Sequence, residues 1–388
     1  MFVGGGAAWG QQNVFSRDNS GTGLWWSDSN NPWYYQTWNS ISNRPDQPFV
    51  DNQFTRNDVF IGHNNNTTMT VNGAFFGLRT LTIQSSVSSA RTYNASDSGG
   101  ISLTVGYTNE GSANQTFNVP IGVDASNVQF SVAGGITTFS QNFFLNSNTA
   151  TFTGAGSIDI SGTASGSGGN ITKTGSGTLT LGGTNTYTGA TAVNQGKLVV
   201  GGSIGSSAVT VSNAGTILAS GTTGTIGNSV VVGNGAILAP GDAGVAGTAT
   251  VSSATTFNNG SIFSWDIDAA ATSYDKLVST TGLVDGDGAG GAVLRIVASD
   301  ALVTQNFWNT TKTWTDIFTT NGTNAIANWA DIFTSVTVVN SSFATITPGG
   351  GSFSASGNTL TWQPALIPEP TTALAGLLLA AGMLRRKR

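Results

Sequence analysis

The acidic residues of the sequence come nearest to a catalytic arrangement. Asp266 and Asp268 lie two residues apart in a predicted strand, so both side chains face the same side of that strand. Glycoside hydrolysis needs two carboxylates roughly 5–9.5 Å apart, a separation that this spacing approaches. No pocket for a general acid is evident beside them, and paired aspartates on the solvent face of a strand also serve solubility. We therefore predict that the chain is not an enzyme. A polysaccharide-acting β-helix enzyme is the alternative that these residues leave, and it ranks third, after the two non-catalytic functions described below.

Two short motifs match catalytic or cofactor-binding patterns but lack the required context. Ser203 lies in a G-x-S-x-G sequence, and Gly286, Gly288 and Gly291 satisfy G-x-G-x-x-G. Both patterns function where a strand runs into a helix, and no helix is predicted after either one. The single histidine, His63, lies in a polar run without supporting residues. The sequence therefore predicts neither a serine nucleophile nor a dinucleotide site.

No metal or cofactor is predicted. Asp285 and Asp287 in the sequence DGDG could bind a calcium ion together with backbone carbonyls, but the sequence favours a Gly-Asp hairpin turn for the same residues. Residues 154–262 contain only Asp159 and Asp242 as acids. The chain has no cysteine, which excludes thiolate metal sites and disulfides.

Composition predicts a folded β protein with an acidic body. Among 388 residues, 53 are glycine, 38% are hydrophobic and 9% are charged, whereas disordered chains combine few apolar residues with high charge. Four of the 14 basic residues occupy the last four positions, and without them 10 basic residues stand against 19 acidic ones. Such a body offers no electrostatic surface to nucleic acid.

A repeat of about 20 residues dominates the middle of the chain. Its units are GSIDISG, GTLTLGG, GKLVVGG, GTILASG and GAILAPG, each with a glycine, one residue, an aliphatic position and a short strand closed by glycine. The units follow at spacings of 21, 19, 19 and 20 residues between the aliphatic positions Ile158, Leu179, Leu198, Ile217 and Ile237.

This period predicts a parallel β-helix, in which each coil adds one rung and the aliphatic residues stack. Alternation along the strand sends Leu179 and Leu181 inward, and Thr178 and Thr180 to solvent. An antiparallel sandwich with turns every 8–12 residues is the alternative.

The repeat divides the chain into five predicted segments. They are an aromatic-rich cap (1–65), a β region leading into the solenoid (66–153), the β-helix repeat (154–262), a C-terminal β region (263–363) and a tail (364–388). In the C-terminal region Phe263, Trp265 and Ile267 alternate with polar residues, which predicts a half-buried strand. Residues 314–333 are the one candidate for an amphipathic helix, although Gly322 interrupts them.

An aromatic cluster near the N-terminus provides a second hypothesis, a carbohydrate-binding or adhesive module. Flat aromatic faces stack on sugar rings, but a hydrophobic cap over the end of the β-helix explains the same side chains. The residues of this cluster are Trp25, Trp26, Trp33, Tyr34, Tyr35 and Trp38.

The C-terminal tail has the features of a short membrane segment. Residues 371–384 form an uncharged run rich in Ala and Leu, which as a helix spans roughly 21 Å of the ~30 Å hydrocarbon core. Local bilayer thinning and snorkelling side chains accommodate such a length. The cluster Arg385, Arg386, Lys387 and Arg388 then stays on the cytoplasmic side, which leaves the body on the outer face. A helix packed as a cap on the β-helix is the alternative.

The core of the repeat reads ITKTGSGTLTLGGTNTYTGATAVNQGKLVVGG at 171–202, followed by GAILAPG at 235–241. It resembles the autotransporter-associated β-strand repeat of bacterial surface proteins. The resemblance covers about residues 154–262 and implies a right-handed parallel β-helix displayed outside the cell.

The chain ends in three ordered elements, which are the triplet Pro368, Glu369 and Pro370, the apolar run and the basic cluster. Together they resemble the PEP-CTERM sorting signal. The resemblance implies export, transient contact with the inner membrane, recognition by an exosortase-type membrane enzyme, and a Gram-negative source that makes exopolysaccharide, itself a candidate partner. Such proteins carry a secretory signal, but no basic residue precedes Arg17, so we expect the true start to lie upstream of Met1.

These observations predict an all-β protein, a right-handed parallel β-helix with flanking β segments and a short C-terminal hydrophobic helix. Its predicted function is that of an exported structural protein of the cell surface or extracellular matrix, sorted through its tail without catalysis. The sequence fixes neither a ligand nor an oligomeric state.

Overall fold

The computed structural model describes residues 12–15, 34–36, 57–61, 68–71, 76–95, 99–241, 245–267, 273–288, 290–299, 302, 306–320, 329–346, 350–356 and 359–365. Most of these residues lie in short β-strands and the corners between them, and helix is limited to Leu302, a 3-10 helix at Asn306–Asn309 and one helical turn, α1, at Trp329–Ile332. The predicted C-terminal hydrophobic helix lies outside the described residues.

The strands are short because a corner follows almost every one of them. The strands up to residue 165 are β1 (Gln12–Phe15), β2 (Tyr34–Gln36), β3 (Asn57–Ile61), β4 (Thr68–Val71), β5 (Phe76–Ile83), β6 (Arg91–Ala95), β7 (Ile101–Asn109), β8 (Gln115–Asn118), β9 (Ile121–Val123), β10 (Asn127–Val132), β11 (Ile136–Phe139), β12 (Phe143–Phe144), β13 (Thr149–Thr153), β14 (Ser157–Ile160) and β15 (Ala164–Ser165).

The later strands continue the same pattern and lengthen near the end. They are β16 (Asn170–Lys173), β17 (Thr178–Leu181), β18 (Thr184–Asn185), β19 (Thr191–Val193), β20 (Lys197–Val200), β21 (Ser203–Ile204), β22 (Val209–Val211), β23 (Ile217–Ala219), β24 (Thr225–Ile226), β25 (Val230–Val232), β26 (Ile237–Ala239), β27 (Thr248–Val251), β28 (Thr255–Phe257), β29 (Ile262–Ile267), β30 (Lys276–Ser279), β31 (Leu283–Asp285), β32 (Ala292–Ala298), β33 (Lys312–Thr315), β34 (Phe318–Thr319), β35 (Phe333–Val339), β36 (Ser352–Ser356) and β37 (Thr359–Gln363).

Three strands and three corners make one coil of the solenoid. β16, β17 and β18 form one coil, and each pairs in parallel with its equivalent in the next coil, β19, β20 and β21. Side 1 belongs to a 16-stranded sheet that ends at β31, side 2 is a 12-stranded sheet from β4 to β35, and side 3 includes a 6-stranded sheet from β18 to β34. The core lies between the three sides.

Apart from the pair β1–β2 at the end of side 1, the pairing along all three sides is parallel, so the predicted parallel β-helix is confirmed and the antiparallel sandwich is wrong. Between the named strands, antiparallel pairing occurs only from β1 to β2 and in a separate sheet of order β33–β37–β36. The parallel ladders continue on both sides of residues 154–262, from β3 and β5 before them to β32 and β35 after them. The five-segment division of the chain stays a prediction.

The alternation predicted for the repeat is present in β17. Leu179 and Leu181 are fully buried, whereas Thr178 and Thr180 are only partly buried and face outward. Parallel stacking repeats this arrangement in β20, where Leu198 lies directly above Leu179. The inward residues of side 2 therefore form columns that run along the solenoid.

The stacking predicted for Ile217 and Ile237 is wrong by one residue. Leu218 continues the inward column at 1% exposure, while Ile217 pairs with Lys197 on the outer face. One coil later Leu238 takes the inward position in the same way. Because side chains alternate between faces, a slip of one residue exchanges the buried set for the exposed set.

Aromatic side chains stack within the inward columns of the earlier coils. On side 2, Tyr93, Phe117 and Phe139 follow one another with ring centroids 4.2 Å and 5.3 Å apart. On side 1, Phe130 and Phe152 stack at 5.3 Å. Burying such a side chain contributes roughly 1.5–3 kcal/mol. A single coil has no neighbour to cover these rings, so stability requires the stack.

The corner between sides 1 and 2 requires glycine at position 196. Gly196 has a φ of 76°, and a Cβ there would lie 2.4 Å from the carbonyl oxygens of both Gly175 and Gly177. Side chains with a Cβ rarely adopt this φ, and none fits against the preceding corner. The glycine thus sets how closely two coils approach.

The coils lengthen towards the C-terminal end. Paired side-2 residues are 31 apart between Phe263 and Leu294 and 42 apart between Leu294 and Val336, against about 20 in the repeat. The additional chain includes β33, which forms an antiparallel sheet of order β33–β37–β36 with two strands that follow β35. This sheet packs on the solenoid through Trp314, whose ring centroid lies 5.3 Å from that of Trp265.

The helix predicted for residues 314–333 is wrong. Trp314 lies in β33, where it pairs with Leu360, and Phe318 lies in β34. Of the described residues in this stretch, only α1 is helical. The stretch is rich in poor helix formers, and strand pairing buries its first tryptophan to 5% exposure.

The half-buried strand predicted at 263–267 is also wrong, because β29 is buried on both faces. Phe263, Trp265 and Ile267 face the core as expected, but Ser264 and Asp266 are 3% and 6% exposed. The sequence pattern cannot show that the chain of the lengthened coils covers the outer face of this side.

The register correction gives the first prediction. Leu218→Ala should lower the free energy of unfolding by about 2–5 kcal/mol, because it leaves a cavity in the inward column. Ile217→Ala, its neighbour on the outer face, should cost about 1 kcal/mol or less. Urea unfolding followed by circular dichroism measures both values, and a larger loss for Ile217→Ala would contradict the register.

Candidate functional site

The strongest concentration of organised polar groups lies at the corners of coils 170–207. Asn185, at the end of β18, is fully buried. Its Oδ1 accepts the Ala164 amide of the preceding coil at 2.9 Å, and its Nδ2 donates to the Ser203 carbonyl of the following coil at 2.9 Å. A third bond reaches the Gly183 carbonyl in its own coil, also at 2.9 Å. One side chain therefore connects three consecutive coils.

A second buried group follows in the same sequence motif. The Tyr187 hydroxyl lies 2.7 Å from the Thr191 hydroxyl, which lies 2.8 Å from that of Ser207 in the next coil. All three side chains are at most 1% exposed. Burial raises the pKa of Tyr187 to about 12. The hydroxyl therefore stays protonated and serves as a structural hydrogen-bonding group at physiological pH.

Lys173 occupies an inward position where other coils carry apolar residues. It lies between Phe152 and Val193 in the side-1 ladder and is 3% exposed. Its Nζ donates to the carbonyl of Gly175 and, at 3.3 Å, to that of Gln195 in the next coil. Burial lowers the pKa of Lys173 to about 8. The ammonium group thus satisfies corner carbonyls of two coils.

Sequence reasoning did not assign roles to Asn185, Tyr187 or Lys173, although the motif contains all three. Their side chains are directed to neighbouring coils and not to solvent, so they bind no external ligand in this arrangement. Buried polar groups need hydrogen-bond partners, and here the partners come from adjacent coils. The repeat motif therefore encodes inter-coil connections.

The carboxylate site differs from the predicted one. Asp268 lies outside the described residues. Asp266 is buried, whereas the sequence predicted that it lies on the solvent face of the strand. The acid that is hydrogen-bonded to it in the fold is Asp275, which sequence reasoning missed. The Asp266 amide donates to Asp275 Oδ2 at 3.0 Å, and the Asp275 amide donates to the Asp266 carbonyl at 3.0 Å. An isolated acid in the sequence SYDKL gave no signal of this pairing.

Asp275 joins three segments of the chain. Its Oδ1 accepts the Gly247 amide at 2.7 Å, and its carbonyl accepts the Trp265 indole at 2.9 Å. Burial raises the pKa of Asp275 to about 8, and the charge of Asp266 adds to this rise, while the amides of Asp266 and Gly247 oppose it. A raised pKa is typical of a general acid, but this side chain is 0% exposed, so no substrate reaches it in this conformation.

Arg295 is the basic group beside this acidic pair. It pairs with Ser264 in the neighbouring strand, and its guanidinium lies 4.8 Å from the centre of the Phe343 ring. Burial lowers the pKa of Arg295, and the charge of Asp266 acts against that change. The cation therefore offsets part of the charge of Asp266 and does not create an open anion site.

The DGDG sequence forms a turn held by its own carboxylates. Asp285 accepts the amides of Gly290 at 2.7 Å and Gly288 at 3.1 Å, and the Gly290 amide is the first cause of the lowered pKa of Asp285. Asp287 accepts the Asn259 amide at 3.0 Å. Within the described residues, no group of three or more potential metal ligands occurs. The contacts fit the turn explanation, and calcium binding stays untested.

The G-x-S-x-G and G-x-G-x-x-G motifs are each followed by a strand and not by a helix, as the sequence predicted. Ser203 lies in β21, and the next element is strand β22 and not a helix. Gly286, Gly288 and Gly291 precede strand β32, again without a helix. His63 lies outside the described residues. These arrangements match neither a nucleophile elbow nor a dinucleotide fold.

The predicted glycan-stacking and sorting residues lie outside the described residues, except for the backbone of Tyr34 and Tyr35. Tyr34 and Tyr35 belong to β2, whose backbone pairs with β1, and their side chains are not described. The residues that lie outside the described part of the chain are Trp25, Trp26, Trp33, Trp38, Pro368, Glu369, Pro370, Arg385, Arg386, Lys387 and Arg388. Both assignments stay predictions. None of the described helices has the length and apolar character needed to cross a membrane.

One family model matches the segment that forms these corners. Residues 171–200, which contain Lys173, Asn185 and Tyr187, match the family model of the Passenger-associated-transport-repeat. No curated protein and no solved structure matches the chain. The repeat and the parallel solenoid together fit a surface or secreted passenger-like protein.

The connection made by Asn185 gives the second prediction. Asn185→Ala should lower the free energy of unfolding by about 1–3 kcal/mol, because it leaves the buried Ala164 amide without this partner and removes the bonds to the Gly183 and Ser203 carbonyls. The control Asn228→Ala removes an exposed corner bond to the Ser206 carbonyl and should cost about 1 kcal/mol or less. Equal losses for the two variants in urea unfolding would contradict the role of Asn185.

Asp275 gives a prediction for pH dependence. Its folded pKa of about 8 lies above its ordinary value of 3.8, so the folded state holds the proton more tightly. The stability that this group contributes is fully present below pH 3.8 and is lost as the pH rises through about 8. Asp275→Asn cannot titrate and should lose this dependence. Urea unfolding across this pH range, giving parallel profiles for the two proteins, would contradict the assignment.

Proposed function

We propose that the chain is an exported structural protein of the cell surface or extracellular matrix. The observation that carries the proposal is the passenger-associated repeat at 171–200, set within parallel ladders that run from β3 to β35. A solenoid of this kind presents long, regular, weakly charged sides to its surroundings. Its function is then structural, namely to hold these long sides in an extended form. A rigid stack of coils is suited to that function.

The proposed protein acts without catalysis. The two acids that come together, Asp266 and Asp275, are 6% and 0% exposed, and the Asp275 carboxylate accepts the backbone amides of Gly247 and Asp266. The other organised polar groups, around Asn185 and Lys173, bind neighbouring coils. A catalytic site needs reacting groups that a substrate can touch, and these groups support internal structure instead.

The proposed route to the surface uses the tail. Pro368, Glu369 and Pro370 would be recognised by an exosortase-type membrane enzyme after residues 371–384 enter the inner membrane as a short helix. The basic cluster at the C-terminus would stay in the cytoplasm and would thereby set the orientation of this helix in the membrane. The body would then remain outside, associated with exopolysaccharide in a Gram-negative envelope. We also propose a right-handed coil, because parallel β crossovers are right-handed in nearly all proteins.

Fractionation of the source cells tests this proposal. The wild-type body should be found in the envelope or medium, shortened at its C-terminus. A variant with alanine at Pro368, Glu369 and Pro370 should keep its tail and accumulate in the inner membrane, because the enzyme no longer recognises it. The matched control Thr371→Ala changes the adjacent residue and should behave as wild type. A full-length chain found only in the cytosol would contradict export, and normal processing of the triple variant would contradict sorting.

A further inference from the structure

The antiparallel sheet beside the solenoid has an open outer strand. In the order β33–β37–β36, strand β36 pairs with β37 through five consecutive residues without a bulge. Four of its five residues, Ser352, Ser354, Ala355 and Ser356, are exposed. No backbone hydrogen bond other than those to β37 joins this strand to any described residue. Within the described part of the chain, its outer N–H and C=O groups therefore have no strand beside them.

The two edges of this sheet differ in protection. Folded proteins guard exposed edges with charged side chains, proline or bulges, because an unguarded edge pairs with other chains. The opposite edge, β33, carries Lys312, whose Nζ lies 4.4 Å from the centre of the Phe307 ring. Strand β36 has the sequence SFSAS, which contains no charge and no proline. Of the two edges, β36 is the one suited to pairing.

We propose that β36 pairs antiparallel with β36 of a second copy of this chain, joining the two sheets into one. A twofold axis at Ser354 places Phe353 opposite Ala355 of the second copy. Phe353 and Ala355 lie on the face of Trp362 and Leu360, their partners in β37, so a large side chain meets a small one on the aromatic face. The strand has no charge to repel its own copy. This self-complementarity favours a second copy over an unrelated strand.

The expected dimer is weak and reversible because five residues bury little area. Copies held close together on a surface would pair much more completely than the same chain free in dilute solution. The pairing itself requires no particular location of the protein, so it stands or falls independently of the proposed function.

A cysteine placed at the twofold axis tests the pairing directly. The chain has no cysteine, so Ser354→Cys introduces a single thiol in the full-length protein. Directly opposed residues of antiparallel strands have Cα atoms about 4.5–5.5 Å apart, within the range that a disulfide spans. Mild oxidation should produce a covalent dimer on a non-reducing gel. The control Thr313→Cys lies on the same rung, where both positions pair with Thr361, but on the guarded edge, and should yield little dimer.

Charge variants provide the second measurement. Ser354→Lys and Ser354→Glu each place like charges opposite one another and should weaken self-association about tenfold in sedimentation equilibrium. Mixing the two variants should restore dimerisation, since opposite charges then meet. Thr313→Lys should leave the wild-type affinity unchanged. The proposal is overturned if wild type is monomeric at all concentrations, if Ser354→Cys forms no more dimer than Thr313→Cys, or if the mixture does not associate better than either variant alone.

Discussion

The fold depends on one constraint, the parallel hydrogen-bonded ladder that holds each coil on the one before it. In a parallel ladder every residue has a fixed partner in the next coil, so the inward column of side 2 must continue from Leu179 to Leu198 and Leu218 without a slip. Variation in coil length is therefore placed mainly in the corners. Paired side-1 residues of the repeat lie 18 to 25 residues apart, whereas the last two side-2 spans are 31 and 42 residues long, and their ladder shifts register once, between Ala292 and Val293.

The same constraint explains the polar residues of the repeat. A corner turns the chain away from the ladder and leaves backbone groups that need partners inside the stack. Asn185 and Lys173 supply these partners between coils, and Tyr187 reaches the next coil through two hydroxyl groups. A short motif can therefore be recognisable even though it touches no ligand, because each of its polar residues has a fixed structural neighbour.

The sequence predicted the parallel solenoid because its period and its alternation are both direct consequences of stacking. It did not predict the register at Ile217, because Ile217 and Leu218 are both aliphatic and alignment on the nearby glycine favoured the wrong one. The burial of Asp266 was not predictable either, since alternation along β29 does not show what covers its outer face. Asp275 lies close to Asp266 because Tyr274 pairs antiparallel with Ile267, and local sequence contains no sign of that pairing.

The burial of basic residues has a consequence for survival outside a cell. Proteases of the trypsin type cleave after lysine or arginine and must draw the chain around that residue into an extended form. Between Arg79 and Lys197 the sequence has only Arg91 and Lys173, which are 1% and 3% exposed. Cleavage there requires several stacked coils to separate first. The coils between Arg79 and Lys197 should therefore resist this cleavage, through the same arrangement that places a lysine among corner carbonyls.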